Sequence, residues 1–185
     1  MSDRAATLLS LARRTLEESF GGPPVDAAEA WPEERRAAFV TLTKHGRLRG
    51  CVGQVEARLP LYEAVRDATQ AAAFYDNRFA PLEPGEVGEV RIELSLLSPI
   101  QWLEVHSEDE ALAVIRPGVD GVLLRCGQRS GLFLPEMWKQ LPDPKVFLSL
   151  LKRKAGLPSD RWLPETQVGR FTAEVFDEPE DGRRT

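Results

Sequence analysis

The residues best suited to chemistry lie in one short segment, Leu48 to Gly53. Arg49 stands two positions before Cys51, and Gly50 and Gly53 bracket the cysteine. Glycine weakens a strand interior, so this pair indicates a bulge, a tight crossing or a ligand lying against the main chain. A nearby cation favours the thiolate, the reactive form of cysteine. In an extended strand Arg49 and Cys51 share one face, so the segment predicts a combined anion and thiol site.

Packing is the second interpretation of the same segment. If the preceding turn has an even number of residues, Arg49 lies opposite Leu42 and Cys51 beside Val40, an apolar setting that opposes thiolate formation. A buried free cysteine behaves as a small hydrophobe. Arg49 equally suits a bracing role, in which it pairs with a carboxylate at a strand end. The segment alone leaves both interpretations open.

Two further charged residues are candidates for a site. Glu93 lies on the polar face of a predicted strand and is the best carboxylate for acid–base work if that face turns toward a cleft, whereas the alternative is solvent exposure. Arg78 is a candidate ligand-binding cation. It also suits a pairing with Asp76 or Glu93, while Phe79 plugs the core.

Composition limits the class of protein. The 185 residues carry a net charge of −5, which disfavours a nucleic-acid surface, and 42% are hydrophobic, as in a globular domain. No apolar run reaches the roughly 18 residues that span a bilayer, so no membrane association is predicted. Cys51 and Cys126 fit a reducing compartment, which predicts a cytoplasmic location. His45 and His106 lack the spacing of metal ligands, so neither a metal nor a cofactor is predicted.

The spacing of apolar residues predicts the elements that must position these side chains. The pattern favours an α+β fold of mostly antiparallel sheet with flanking helices, because helices and hairpins do not alternate strictly. Helices are predicted at 3–20, from Pro60 to near Asp76, and from Pro144 to before Gly156, with a short helical turn after Ser107. Strands are predicted at 37–43, 48–54, 90–96, 121–126, 130–134 and 169–176, with a Pro-rich loop at 21–34.

Several runs together resemble a known family. The clearest are "FVTLTKHGRLRGCVG", "LYEAVRDATQAAAFYDNRFAPL", "VRIELSLLSP", "GLFLPEMW" and "FLSLLKRKAGLP". They are similar to the AMMECR family, the A component of the AmmeMemoRadiSam system, and the resemblance extends from about Ala37 to Phe176. The family usually has isoleucine at the place of Val52 and often proline at the place of Asn77.

The resemblance implies a fold and a setting for the protein. It implies one domain over 1–178, built of two interleaved subdomains, a larger and a smaller, with a cleft between them. The charged composition of residues 179–185 separately predicts a flexible tail. It further implies a modification pathway shared with a Memo-like protein and a radical SAM protein, although the family's biochemical activity is not established.

Two functions are compatible with this resemblance. In the first, a cleft beside Leu48–Gly53 binds a small molecule or a modified side chain, with Arg49 holding an anion, Cys51 as nucleophile or thiol donor and Glu93 as proton carrier. Gly50, Gly53 and Arg78 complete that predicted ligand site. In the second, the protein is a non-catalytic adaptor that docks a protein partner. The adaptor predicts a buried cysteine beside an exposed apolar patch.

Overall fold

The computed structural model describes residues 3–25 and 34–179. The predicted tail lies outside these residues except for position 179, as does most of the predicted Pro-rich loop. The helices are α1 (Asp3–Glu18), α2 (Leu61–Phe74), α3 (Glu108–Val114) and α4 (Pro144–Lys154). The strands are β1 (Ala38–Lys44), β2 (Arg47–Gly53), β3 (Val90–Leu97), β4 (Gln101–Leu103), β5 (Gly121–Cys126), β6 (Arg129–Phe133), β7 (Gln167–Phe171) and β8 (Ala173–Asp177). The predicted α+β fold is confirmed.

The chain divides into two compact units. Met1–Leu97 and Glu174–Thr185 form the discontinuous unit, and Ser98–Ala173 form the inserted unit. The discontinuous unit contains a sheet of order β2-β1-β3-β8, and the inserted unit contains one of order β4-β7-β5-β6. Each unit has its own hydrophobic core.

One face of the first sheet forms the core of the discontinuous unit. Val40, Leu42, Ile92 and Leu94 alternate along β1 and β3 and are at most 1% exposed. The apolar sides of α1 and α2 pack into the same core, with Leu8, Ala12 and Leu16 from α1 and Val65, Ala68 and Ala72 from α2. Because side chains alternate between faces along a strand, Thr41 and Glu93 lie on the opposite face. The helices α1 and α2 therefore pack on the apolar face of β1 and β3 and not on the polar face.

The core of the inserted unit is built around aromatic stacking. The Trp138 ring lies parallel to Phe147, with 3.7 Å between ring centroids, and Phe147 in turn meets Phe133 edge to face. The Trp138 indole N–H donates to the Asp120 main-chain oxygen at 2.7 Å, so its polar atom is satisfied inside the core. Asp143 caps α4 through its carboxylate, and Pro144 follows it at the first helical position, as predicted.

The predicted final strand at 169–176 is wrong. The chain forms two strands there, β7 and β8, which belong to different sheets and are separated by Thr172. The Thr172 N–H donates to Ser98 Oγ and the Thr172 oxygen accepts from the Ser98 N–H, both at 2.9 Å. These bonds join the two ends of the inserted unit. An apolar alternation continues across the break, so periodicity alone could not reveal it.

Candidate functional site

A β-bulge sets the geometry of the Leu48–Gly53 segment. Leu42 pairs with Gly50 and Thr43 pairs with Leu48, which leaves Arg49 as an additional residue on β2. The expected register, with Arg49 opposite Leu42 and Cys51 beside Val40, is therefore wrong. The extra residue shifts the pairing by one position, and a one-residue shift moves side chains to the other face.

The corrected register places Cys51 in a polar row. Cys51 pairs with Thr41 on β1, and Thr41 pairs with Glu93 on β3. The Thr41 hydroxyl donates to the Cys51 sulfur at 3.3 Å, and the cysteine is half-buried. Two strand spacings, about 10 Å of main chain, separate Cys51 from Glu93, so the Thr41 hydroxyl stands between the thiol and the carboxylate. One carboxylate oxygen of Glu93 is buried.

The chain that follows α2 supplies an ion pair against Cys51. The Cys51 N–H donates to Asp76 Oδ2 at 2.8 Å, and Arg78 Nη2 donates to the Cys51 main-chain oxygen at 3.3 Å. Arg78 also holds Asp76 through two side-chain bonds, from Nε at 2.9 Å and from Nη2 at 2.7 Å. The predicted pairing of Arg78 with Asp76 is thus present, and it lies directly on the cysteine.

Asp76 and Arg78 each shift the pKa of the other. The Arg78 guanidinium holds the Asp76 pKa well below its usual range, with the Cys51 N–H acting in the same direction and burial opposing both. The Arg78 pKa is raised, first by its bond to Asp76 and also by the nearby Cys51 side chain. The guanidinium therefore faces two acceptors, the Asp76 carboxylate and the Cys51 sulfur. A cation in that position favours the thiolate.

Arg49 takes part in a separate network. Its Nε and Nη2 donate to the two oxygens of Glu86 at 3.0 and 2.7 Å, and its other bonds reach the main-chain oxygens of Ala80 and Pro81 at 2.9 and 3.2 Å. Lys44 also pairs with Glu86, at 3.2 Å. Arg49 therefore braces the loop of residues 80–86. Its role as a ligand-binding residue stays a prediction, one that these contacts oppose.

The two glycines of the segment approach main chain of the same unit. A Cβ at Gly50 would lie 2.1 Å from the Ala72 oxygen in α2, and one at Gly53 would lie 2.2 Å from the Ala38 oxygen. Close contact between helix and strand accounts for Gly50. Close contact within the hairpin accounts for Gly53. Their contact with a ligand stays a prediction.

Sequence reasoning missed part of this site. Thr41 carries no pattern that marks it, because its contact with Cys51 depends on the bulge. The sequence indicates Asp76 only as a partner for Arg78, since its bond to the Cys51 N–H joins residues 25 positions apart. Among the described residues, no group of three or more His, Cys, Asp or Glu could hold a metal ion. Over the same described ranges, no helix is long and apolar enough to cross a membrane.

A separate cavity of about 550 Å³ lies in the inserted unit. Its polar lining includes Glu104, His106, Glu165 and Gln167, beside Trp102. The Trp102 ring is already covered by the Arg125 guanidinium, 5.1 Å from its centroid. None of the residues predicted for the site lines this cavity, so it is distinct from the Cys51 row.

Comparison with known proteins gives consistent matches. The AMMECR1 family model matches residues 9–176. A protein of Methanothermobacter thermautotrophicus is 40% identical over 183 residues, which cover 95% of each chain. A protein of Thermococcus kodakarensis is 41% identical, over 92% of this chain and 88% of its own.

A solved structure has the same fold. The crystal structure of an uncharacterized protein from Pyrococcus horikoshii superposes with a TM-score of 0.87 at 34% identity, and the match covers 96% of this chain and 93% of the other. The similarity thus extends over both units and over the segment that carries Cys51.

Proposed function

The chain belongs to the AMMECR1 family, and from this premise we propose that it is a component of a modification pathway that includes a Memo-like protein and a radical SAM protein. Within that pathway, the polar surface beside Leu48–Gly53 binds a small molecule or a modified side chain. Cys51 acts there as nucleophile or thiol donor. Cys51 and Cys126 are not joined in a disulfide in the described part of the chain, which supports a reducing, cytoplasmic setting.

The contact between Arg78 and Cys51 is the observation that carries this proposal. The guanidinium bonds the Cys51 main chain and interacts with its side chain, and the Thr41 hydroxyl donates to the sulfur. A cation and a hydroxyl donor both stabilise a thiolate relative to a thiol. Cys51 as a residue is half-buried, so it is not sealed inside the core. These features distinguish Cys51 from a cysteine that only fills space.

Glu93 has a supporting role in this proposal. It lies on the same face as Cys51, with Thr41 between the two. In that position Glu93 exchanges protons with a bound molecule that spans the row, and it does not contact the thiol directly. Arg78 is the cation bonded to Cys51, through its main-chain oxygen, whereas Arg49 is engaged by Glu86.

Alkylation of the native protein tests the proposal. We expect iodoacetamide to modify Cys51 several-fold faster than it modifies glutathione at pH 7, because the thiolate is the reacting form. Mass spectrometry of the Cys51 peptide gives the rate, and a Cys51→Ser variant identifies the signal. Reactivity at Cys51 no greater than that of glutathione would rule out a functional thiol.

An adaptor is the second candidate, and the exposed apolar residues near Cys51 favour it. Tyr75 is 79% exposed and directly precedes Asp76, and Leu48 is 43% exposed three residues before Cys51. Large exposed apolar side chains of this kind mark contact surfaces when they cluster. An adaptor would use Tyr75 and Leu48 to dock a protein of the pathway, and Cys51 would remain unmodified.

Binding measurements separate the adaptor from the thiol site. Purified Memo-like and radical SAM proteins would be titrated against the chain by calorimetry, with Tyr75→Ser and Leu48→Ser as test variants. Val146→Ser is the matched control, since Val146 is 46% exposed but lies on α4 of the inserted unit. The adaptor predicts that the first two variants weaken binding at least tenfold and that the control does not. Equal affinities for all variants would exclude this docking surface.

A further inference from the structure

Asp76 is hydrogen-bonded to both Cys51 and Arg78. Its carboxylate accepts from the Cys51 N–H, from the Arg78 main-chain N–H at 3.2 Å and from the Arg78 side chain twice. The Asp76 side chain is 5% exposed, whereas that of Arg78 is 53% exposed. A fixed carboxylate thus holds a cation that is otherwise half in solvent.

We infer that Asp76 is a positioning residue, whose carboxylate holds the Arg78 guanidinium against Cys51 and so raises the thiolate fraction of that cysteine. This inference rests on the proposed function of Cys51 as a reactive thiol. Asp76 would thus influence the reaction of Cys51 through Arg78.

Two effects of Asp76 on Cys51 have opposite signs. Its negative charge disfavours a nearby thiolate, whereas its hold on Arg78 keeps a positive charge beside the sulfur. The direct bond from Arg78 to the Cys51 oxygen is long, 3.3 Å, and the bonds to Asp76 are 2.7 and 2.9 Å. Without Asp76, the exposed Arg78 side chain regains rotamer freedom and the guanidinium leaves the sulfur. For Asp76 to raise the thiolate fraction, this positioning effect must exceed the repulsion.

The other charged groups around Cys51 do not substitute for Arg78. On β3, Glu93 lies beyond Thr41, and its negative charge opposes a thiolate. On β2 itself, Arg49 is bound to Glu86 and to two main-chain oxygens. On β1, the partner is Thr41, which carries no charge. Of these groups, Arg78 is the cation placed to set the reactivity of this thiol.

An Asp76→Asn variant tests the sign of the effect. The amide keeps one oxygen for the Cys51 N–H but loses the charge that holds Arg78. We expect the midpoint of the pH profile for iodoacetamide modification at Cys51 to rise by about one pH unit, with roughly tenfold slower modification at pH 7. Faster modification in Asp76→Asn would mean that repulsion dominates, and it would overturn the inference.

The same substitution in an Arg78→Met background provides the matched control. Only the repulsion remains there, so D76N should accelerate modification relative to R78M alone. The sign of the D76N effect thus reverses between the two backgrounds. An equal slowing in both backgrounds would show that Asp76 does not act through Arg78.

An Arg78→Lys variant tests whether the two side-chain bonds from Arg78 to Asp76 are needed, and it leaves Asp76 unchanged. Lysine keeps the charge, but its ammonium cannot form the two side-chain bonds that hold Arg78. We expect Arg78→Lys to be slowed nearly as much as Arg78→Met, and a rate equal to that of the wild type would contradict positioning. Far-UV circular dichroism of each full-length variant reports any loss of folding.

The outcomes distinguish this inference from the proposed function. If wild-type Cys51 reacts no faster than glutathione, the proposed function fails and the inference fails with it. If wild-type Cys51 reacts faster and Asp76→Asn leaves the pH profile unchanged, the inference alone fails.

Discussion

At the scale of single residues, the bulge at Arg49 determines what the motif can do. It turns Arg49 to the carboxylate of Glu86 and leaves Cys51 opposite Thr41. The sequence correctly indicated a special main-chain geometry, because two glycines flank the cysteine. It could not indicate which residue is the extra one, since that depends on how the hairpin pairs and not on residue type.

Gly50 gives a residue-scale prediction of stability. A Gly50→Ala methyl group would lie 2.1 Å from the Ala72 oxygen, which is main chain of a packed helix and cannot move aside alone. We expect the free energy of unfolding to fall by about 1 to 3 kcal/mol, as for other overpacked sites. Urea denaturation measures the loss.

Gly85→Ala is the control for that experiment. A Cβ at Gly85 meets nothing within 4 Å. A loss of stability as large in Gly85→Ala as in Gly50→Ala would show that the helix–strand contact is not the cause.

At the scale of elements, the Glu86 side chain ties a loop to the first hairpin. Its bonds to Arg49 lower the Glu86 pKa from 4.5 to about 2, with smaller contributions from the Glu83 N–H and Lys44 and with burial opposing them. A carboxyl with a lowered pKa stabilises the fold above its ordinary pKa, and this stabilisation is lost as the pH falls toward 2.

A Glu86→Gln variant should remove this pH dependence. We expect it to be less stable than the wild type at pH 7, with the difference shrinking steadily below pH 4.5. Arg49→Met should give the same profile, because the bond to Arg49 is the main cause of the lowered pKa. Urea denaturation from pH 3 to 7 provides the comparison. A constant difference between wild type and Glu86→Gln over that range would refute this account.

A partly buried ion pair joins α3 to α4. Lys152 is 2% exposed and bonds Glu108 at 2.6 Å, whereas Glu108 is 30% exposed. Removing the carboxylate with Glu108→Gln leaves a buried ammonium, which we expect to cost about 2 to 3 kcal/mol, less than a fully buried pair.

Lys152→Met should cost less than Glu108→Gln. Glu108 remains hydrated and lies in the first turn of α3, where the helix dipole favours a negative charge. The order of the two variants in thermal or urea unfolding checks the prediction. A larger loss in Lys152→Met would mean that packing of the lysine stem outweighs the charge.

At the scale of the whole molecule, the chain consists of one unit inserted into another. The sequence predicted most helices and strands because long amphipathic patterns report them well. It missed β4, which has three residues, and merged β7 with β8. Predicting one strand in place of β7 and β8 concealed the point at which the chain leaves the inserted unit. Nothing in the local pattern at Thr172 signals a change of sheet.

The inserted unit is predicted to fold independently, because its two ends are bonded to each other. Ser98 and Thr172 bond each other twice, and the unit has its own core. We expect residues 98–173, produced alone, to fold cooperatively, as inserted domains with adjacent ends often do. Circular dichroism and a one-dimensional NMR spectrum test this.

Phe147→Ala in the same fragment is the control, because Phe147 is completely buried and its truncation should unfold so small a domain. A wild-type fragment with the spectrum of an unfolded chain would show that the insertion depends on the rest of the protein.

The ion pair on Cys51 has a consequence for association between molecules. β2 is the end strand of its sheet, and the outward N–H and C=O of Cys51 are taken by a carboxylate and a guanidinium. Asp76 and Arg78 thus imitate, with side chains, the acceptor and donor that a further strand would bring. Exposed sheet edges recruit strands from other copies and so start aggregation. At Cys51, the Asp76–Arg78 pair therefore closes the edge of the sheet to an intruding chain.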